Sequence, residues 1–363
     1  MDRRITYIVK REDLPASAAL IMEKRLGFTR RQIRNAKYKD EGIMADGVRI
    51  RASRMMREGE ELSVLAADGR TWPDEGGENR CVPAGEDGSA RPDERGETRR
   101  CGEAEAGAGI PEILYEDEDL IAVCKPAFMN VHPGRVRYGD SLSEWLEEYF
   151  KVRGEEHIMR PVGRLDKEAS GIVIFAKHRT AASWLFSEGN CRKVYYALVR
   201  GRMDKDEGVL EYALAKDPEN PLKMCVCENG MFCRTFYKVI AGSDEGQLLE
   251  VRLQTGRTHQ IRVHMMQSGH PLFGDTLYGT EAERNAGRTY GQADESAAKN
   301  RGITGAEADR SACPIKRAAL HCARAEIVRP FGQGKVTVCC PMSEDMESVY
   351  RLIRQSGSSQ EGR

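Results

Sequence analysis

The sequence predicts an α+β protein built mainly on antiparallel sheet, preceded by a small α+β module. Three observations carry this. Beyond Pro111, β-branched and aromatic runs bounded by turn residues outnumber helical stretches, and no regular strand–helix alternation appears. Residues 1–66 hold a compact helix–helix–hairpin pattern of their own. Between these regions, residues 67–110 are dominated by Gly, Glu, Asp, Arg, Pro and Ala, with too few apolar side chains to offset the entropy of ordering. The expected organisation is therefore a module at 1–66, an acidic disordered linker at 67–110 and a main domain at 111–355. A flexible insert is expected at about 281–314, where large apolar residues almost vanish, and a polar tail at 356–363.

In chain order, Ala16–Leu26 has apolar residues at helical spacing, and Gly27 ends that helix with a left-handed turn. Thr29 opens a second helix with Gln32 three residues on, a capping box. Its exposed positions carry Arg30, Arg31, Arg34 and Lys37. Strands are expected at Gly42–Ala45 and Val48–Arg51, joined by the hairpin dipeptide Asp46-Gly47, and at Glu61–Leu65. In the main domain, strands are expected at Ile113–Tyr115, Leu120–Cys124, Ile172–Ala176, Val194–Val199, Thr235–Ile240, Leu248–Leu253, Ala319–Val328 and Val336–Cys339. Helices are expected at Leu142–Phe150, Thr180–Ser187, His259–Gln267 and Glu344–Arg354.

The chain has 363 residues, 31% of them charged, and no apolar run near the length of about 20 that a membrane helix needs. Met1–Asp13 lacks the apolar core of a secretion signal, so a cytoplasmic protein without membrane partners is expected. Eleven scattered cysteines without zinc-ribbon spacing suit reduced thiols. The net charge of −1 hides a regional imbalance. Residues 1–66 hold 15 Lys and Arg against 10 Asp and Glu, and residues 67–112 hold 6 against 12.

Two stretches can carry chemistry. Gly163-Arg164-Leu165-Asp166 sits in a loop that leads through Ala169-Ser170-Gly171 into an apolar strand. On spacing alone, Asp166 is better read as a turn residue than as a catalytic acid. Thr255 to His264 is denser: Gly256 turns the chain, Thr258 can cap a helix, and His259 and Arg262 fall on one helical face. Its arginines suit phosphate or carboxylate binding, and equally a solvated capped helix. His264 and His321, embedded in apolar sequence, read as structural, hydrogen-bonded histidines, and no metal-ligand set is formed.

Residues 111–345 resemble the catalytic domain of the RluA family of RNA pseudouridine synthases. Ile113 to Leu120, Val123 to Pro126 and Val131 to Gly134 resemble its opening motif, and Arg164-Leu165-Asp166 with Ala169-Ser170-Gly171 its catalytic motif. Lys193 to Val199 resembles its tyrosine strand. Thr255 to His264, with Gly269-His270-Pro271 and Gly274 to Gly279, resembles its arginine motif, and Arg317 to His321 a later core strand. The first 66 residues resemble the small RNA-binding module of S-four type.

The resemblance implies an isomerase of uridine in RNA that needs no cofactor and no metal. The bond from ribose to uracil nitrogen breaks, the base rotates, and a carbon–carbon bond replaces it. Asp166 is then the essential carboxylate, either a nucleophile on the anomeric carbon or a base taking the neighbouring proton. Arg262 is its salt-bridge partner, holding it ionised where bound RNA excludes water. Tyr195 stacks on the uracil or moves a proton. Arg164 fills the space left by the flipped base. Arg257, with Arg30, Arg31, Arg34 and Lys37, meets phosphate. Gly163 stands where the family usually has histidine. A monomer acting on large-subunit ribosomal RNA is expected. The alternatives are a transfer-RNA target, a non-catalytic RNA-binding ribosome-assembly factor, or a hydrolase using Asp166 and His259.

Overall fold

A computed structural model describes residues 3–66, 110–133, 141–155, 157–281, 283–284 and 315–358. The linker expected at 67–110 (bar Ile110), nearly all of the insert, Gly134 of the opening motif and the chain beyond residue 358 lie outside these residues.

The N-terminal module is a four-stranded antiparallel sheet in the order β1-β4-β2-β3, from β1 (Arg3–Ile8), β2 (Ile43–Ala45), β3 (Val48–Arg49) and β4 (Glu61–Ala66). Two short helices cover it, α1 (Ala18–Lys24) and α2 (Arg30–Lys37). Gly27 takes the left-handed turn (φ 68°), and Thr29 and Gln32 close the capping box. Asp46 and Gly47 both have positive φ (47° and 77°), as the tight hairpin requires. β1 was not expected: it opens on two arginines, and pairing along β4 from Arg3↔Ala66 to Ile8↔Glu61 recruits it.

The main domain is one mixed sheet in the order β11-β10-β12-β13-β9-β14-β8-β6-β5, with β15 beside β14 and β7 beside β8. The strands are β5 (Glu112–Glu116), β6 (Leu120–Lys125), β7 (Arg160–Pro161), β8 (Ser170–Ala176), β9 (Cys191–Arg200), β10 (Glu207–Lys216), β11 (Met224–Val226), β12 (Met231–Gly242), β13 (Gly246–Leu253), β14 (Leu320–Val328) and β15 (Lys335–Cys339). Its helices are α3 (Leu142–Val152), α4 (Arg179–Phe186), α5 (Gln260–Gln267) and α6 (Glu344–Ser358). β7, β10 and β11 are additions to the expected elements. β10 is written in helix formers (Leu, Glu, Ala, Lys), yet it pairs with β12 from Glu207↔Lys238 to Leu214↔Met231. Tertiary pairing overrides propensity there. α6 runs to Ser358, past the expected end at Arg354. No helix among the described residues is long and apolar enough to cross a membrane.

β8 and β14 pair in parallel, with His321 opposite Ser170 and Cys322 opposite Gly171. The pairs β10·β12, β12·β13, β13·β9, β14·β15, β14·β9 and β6·β8 are antiparallel. At the parallel seam Gly171 has φ 106°, and a Cβ on it would lie 2.3 Å from the Cys322 carbonyl oxygen. Only glycine fits so close a backbone approach. The loop carrying Asp166 runs directly into this seam.

Candidate active site

The loop between β7 and β8 is held by three cations bonded to its backbone carbonyls. Lys193 Nζ donates to the Val162 carbonyl (2.8 Å), Lys125 Nζ to that of Lys167 (3.2 Å) and Arg317 Nη1 to that of Glu168 (3.2 Å). Lys125 is fully buried and also donates to the carbonyls of Pro126 and Met129. Burial pulls its pKa down to about 7, with the Arg317 charge acting in the same sense. Arg317 is buried too, paired with Asp345 of α6 at 2.6 Å. The Ala169 amide closes the turn onto the Asp166 carbonyl (3.1 Å). Asp166 is thus both the turn residue and a carboxylate set at the edge of a cleft, its side chain 12% exposed.

Arg262 lies behind this loop. Its expected role as partner of Asp166 needs correcting in degree. Nη1 is 4.0 Å from Asp166 Oδ2, the outer limit of an ion pair. Its close partners are Asp275, bonded through Nε and Nη2 at 2.7 Å each, and Glu168 at 2.9 Å. The reason is burial. Asp275 is wholly inaccessible and needs a bidentate guanidinium, whereas Asp166 opens on the cleft. Burial works against the Arg262 charge, but the Asp275 bonds and the neighbouring carboxylates outweigh it and raise its pKa. Arg262 supplies positive potential beneath Asp166 without entering the cleft.

The expected cap at Thr258 also needs correcting. His259 takes a left-handed conformation (φ 54°) and is the residue before α5, so Thr258 falls outside the helix. Its hydroxyl accepts from Arg164 Nη1 instead (2.6 Å). Gln260 fixes the preceding turn: Oε1 accepts from the Arg257 amide, and Nε2 donates to the Arg234 carbonyl and Thr235 Oγ1. His259 Nδ1 meets the Tyr278 hydroxyl at 2.8 Å, and its pKa is lowered, chiefly by burial.

The cleft has a volume of about 900 Å³. Gly163 to Asp166, the end of α4 with residues 187–189, Lys193 and Tyr195 of β9, and the turn 254–257 form its walls. Lys193 and Tyr195 share one face of β9, as alternation requires. Tyr195 sits between Val251 and Cys322 in the sheet and is 7% exposed. Burial, then nearby Cys322, Cys191 and Asp166, push its phenol well above the usual range, so it stays protonated. Tyr196 faces the other way, into a separate apolar cluster. Arg164 lines the cleft with half its side chain exposed, its Nη2 3.6 Å from Asp166 Oδ1. Arg257 is exposed at the rim. Gly163 has φ 78°, and the nearest atom to a Cβ there would be Lys193 Nζ at 3.5 Å. A histidine at that position would face strain.

The structure therefore gathers Asp166, Tyr195, Arg164 and Arg257 around one cleft, with Arg262 behind it. Arg30, Arg31, Arg34 and Lys37 are exposed on α2 of the N-terminal module and do not line it. His321 bonds Ser170 Oγ (2.9 Å) and the Cys340 carbonyl (3.2 Å), while His264 packs edge-on against Tyr212. Sequence reasoning missed the loop's supports, Lys125, Lys193 and Arg317, and the carboxylates of Glu168 and Asp275 that pair with Arg262. The motif around each was visible, but a buried cation that serves distant carbonyls leaves no local signature.

A family model described as RNA pseudouridylate synthase matches residues 119–267. The chain is 30% identical over 243 residues to "Uncharacterized RNA pseudouridine synthase YjbO" of Bacillus subtilis, covering 66% of this chain and 75% of that one. It is 32% identical over 251 residues to "Ribosomal large subunit pseudouridine synthase D" of Zymomonas mobilis, covering 67% and 72% respectively.

Proposed function

This chain belongs to the RNA pseudouridine synthase family, and from that premise we propose that it isomerises uridines of large-subunit ribosomal RNA at the Asp166 cleft. It is an isomerase and its partner is RNA. The ribosomal target is supported by the name of the Zymomonas relative and by others of the same name.

The observation that carries the site is the position of Asp166: a carboxylate on a loop pinned at three carbonyls, beside a protonated phenol, above a buried guanidinium. Such a group can meet a flipped nucleotide without reorganising. Asp166 acts at the ribose, as nucleophile on the anomeric carbon or as base on the neighbouring proton. The uracil nitrogen leaves, the base rotates against the Tyr195 ring, and its carbon bonds to the anomeric carbon as the Asp166 ester bond breaks or, on the base route, as Asp166 returns the proton to the neighbouring ribose carbon. The proton of the joined base carbon is then lost while the nitrogen gains one. Arg164 enters the emptied stack, where a guanidinium plane suits a base; its half-exposed side chain, bonded to Thr258, supports this. Arg257, Arg30, Arg31, Arg34 and Lys37 take phosphates, which makes affinity salt-dependent. The N-terminal module is then an RNA-binding domain of S-four type.

Mapping pseudouridines in ribosomal and transfer RNA, with and without the gene, tests this. One or a few large-subunit positions should be lost and restored by the wild type but not by Asp166→Asn. Restoration by Asp166→Asn refutes the site, and losses confined to transfer RNA refute the target.

A further inference from the structure

The N-terminal module is not merely strung to the main domain by residues 67–110. Phe331, in the turn Pro330–Gly332 between β14 and β15, is 8% exposed and sits in the apolar cluster of the N-terminal module, with Ile5, Leu26 and Phe28 among its members. Its ring also stacks on His178 (6.0 Å, 11°), the residue that caps α4. Gly27 packs so closely on Trp184 of α4 that a Cβ would lie 2.7 Å from the indole ring. Gln32 of α2 donates to Thr180 of α4 (3.1 Å). One face of α4 thus receives the module at Thr180 and Trp184, four residues apart. The other end of the same helix, Leu185 and Phe186 with Ser187 to Gly189, is a wall of the cleft.

The charges fit an RNA backbone. Arg30, Arg31, Arg34 and Lys37 are exposed, and among the described residues Arg30 alone of these four has an acidic partner, Glu23 at a loose 3.9 Å. At about 1.5 Å per residue they cover about 10 Å of helix. α2 begins against α4, whose other end walls the cleft that Arg192, Lys193 and Arg252 also line.

We infer that the module is locked onto α4 by Phe331, so that the basic face of α2 and the cleft form one continuous surface for the phosphates of RNA flanking the target uridine. This rests on the reading of the cleft as an RNA isomerase site. A docked module holds its cations at fixed distance from Asp166, whereas an undocked one must lose its rigid-body freedom on every binding event.

Two experiments on the full chain test it. In the first, Gln32→Cys/Thr180→Cys is treated with a short bismaleimide beside wild type treated identically. The linked peptide should appear by mass spectrometry, and the linked protein should bind deproteinised bacterial ribosomal RNA within about twofold of wild type. In the second, filter binding to the same RNA is measured for Phe331→Glu, with Phe331→Leu and circular dichroism as controls for folding. Phe331→Glu should lose about tenfold in affinity, as should Arg31→Glu/Arg34→Glu, while Phe331→Leu binds normally. Absence of the linked peptide, loss of binding on linking, or wild-type affinity in Phe331→Glu overturns the inference. Neither readout uses turnover, so a failed isomerase reading shows separately, as wild-type protein that forms no pseudouridine.

Discussion

Replacing Arg262 by leucine removes the shared partner of Asp275, Glu168 and, at longer range, Asp166. Asp275 would be left wholly buried with a charge that its remaining donors, the Leu277 and Tyr278 amides at 2.9 Å, do not neutralise. Breaking a buried pair from one side costs about 3–5 kcal/mol. In a main domain of this size that lowers Tm by about 6–10 °C. Were Arg262 only the distant neighbour of Asp166, the loss would be about 0–1 kcal/mol, as for a loose exposed pair. Thermal unfolding of wild type, Arg262→Leu, Asp275→Asn and the double variant decides. Asparagine keeps an acceptor for the two amides, so the double variant should recover at least about 2 kcal/mol of the single loss. A single loss under about 1 kcal/mol, or a double variant as unstable as Arg262→Leu, refutes the pairing. Turnover separates the catalytic contribution from the structural one. The double variant should stay far below wild type, because Asp166 still lacks its guanidinium. Turnover that returns with stability would make Arg262 purely structural.

Two further outcomes follow from the packing. Burial pulls the His264 pKa down to about 4 from 6.5, so on acidification through that window the unfolded chain takes a proton that the folded chain refuses. Stability then falls by up to about 3 kcal/mol between those pH values, and His264→Leu should remove that part of the slope in urea unfolding at about pH 7 and about pH 4.5. Equal slopes in variant and wild type would show that His264 titrates freely. Gly171→Ala must push a methyl group into the Cys322 backbone, so it should cost at least about 2 kcal/mol and lower turnover with it, since the Asp166 loop enters the seam there. A melting curve matching wild type would contradict the close approach of β8 and β14.

The extra strands and the site's supports show where local reading stops. β10 carries a helix-forming composition and is a strand because β12 offers it a full ladder. Thr258 has the chemistry of a cap, but the left-handed His259 moves the helix start past it. The order of motifs pointed to Asp166, Tyr195 and Arg262 together, and the structure sets all three at or behind one cleft.

Features that depend on neighbours a few residues apart were legible in the chain alone. The Thr29–Gln32 box, the Asp46-Gly47 hairpin and the left turn at Gly27 are set by backbone geometry and side chains within reach of each other. By local spacing Asp166 read as a turn residue, and it was the resemblance of its motif to a known family that suggested a chemical role. Which charge serves which partner was left to long-range folding. Arg262 meets Glu168 across 94 positions of sequence, Arg317 reaches the Glu168 carbonyl across 149, and Gln32 bonds Thr180 across 148. Buried charges are paired by whatever folding brings within about 3 Å, and residue spacing carries no record of that distance.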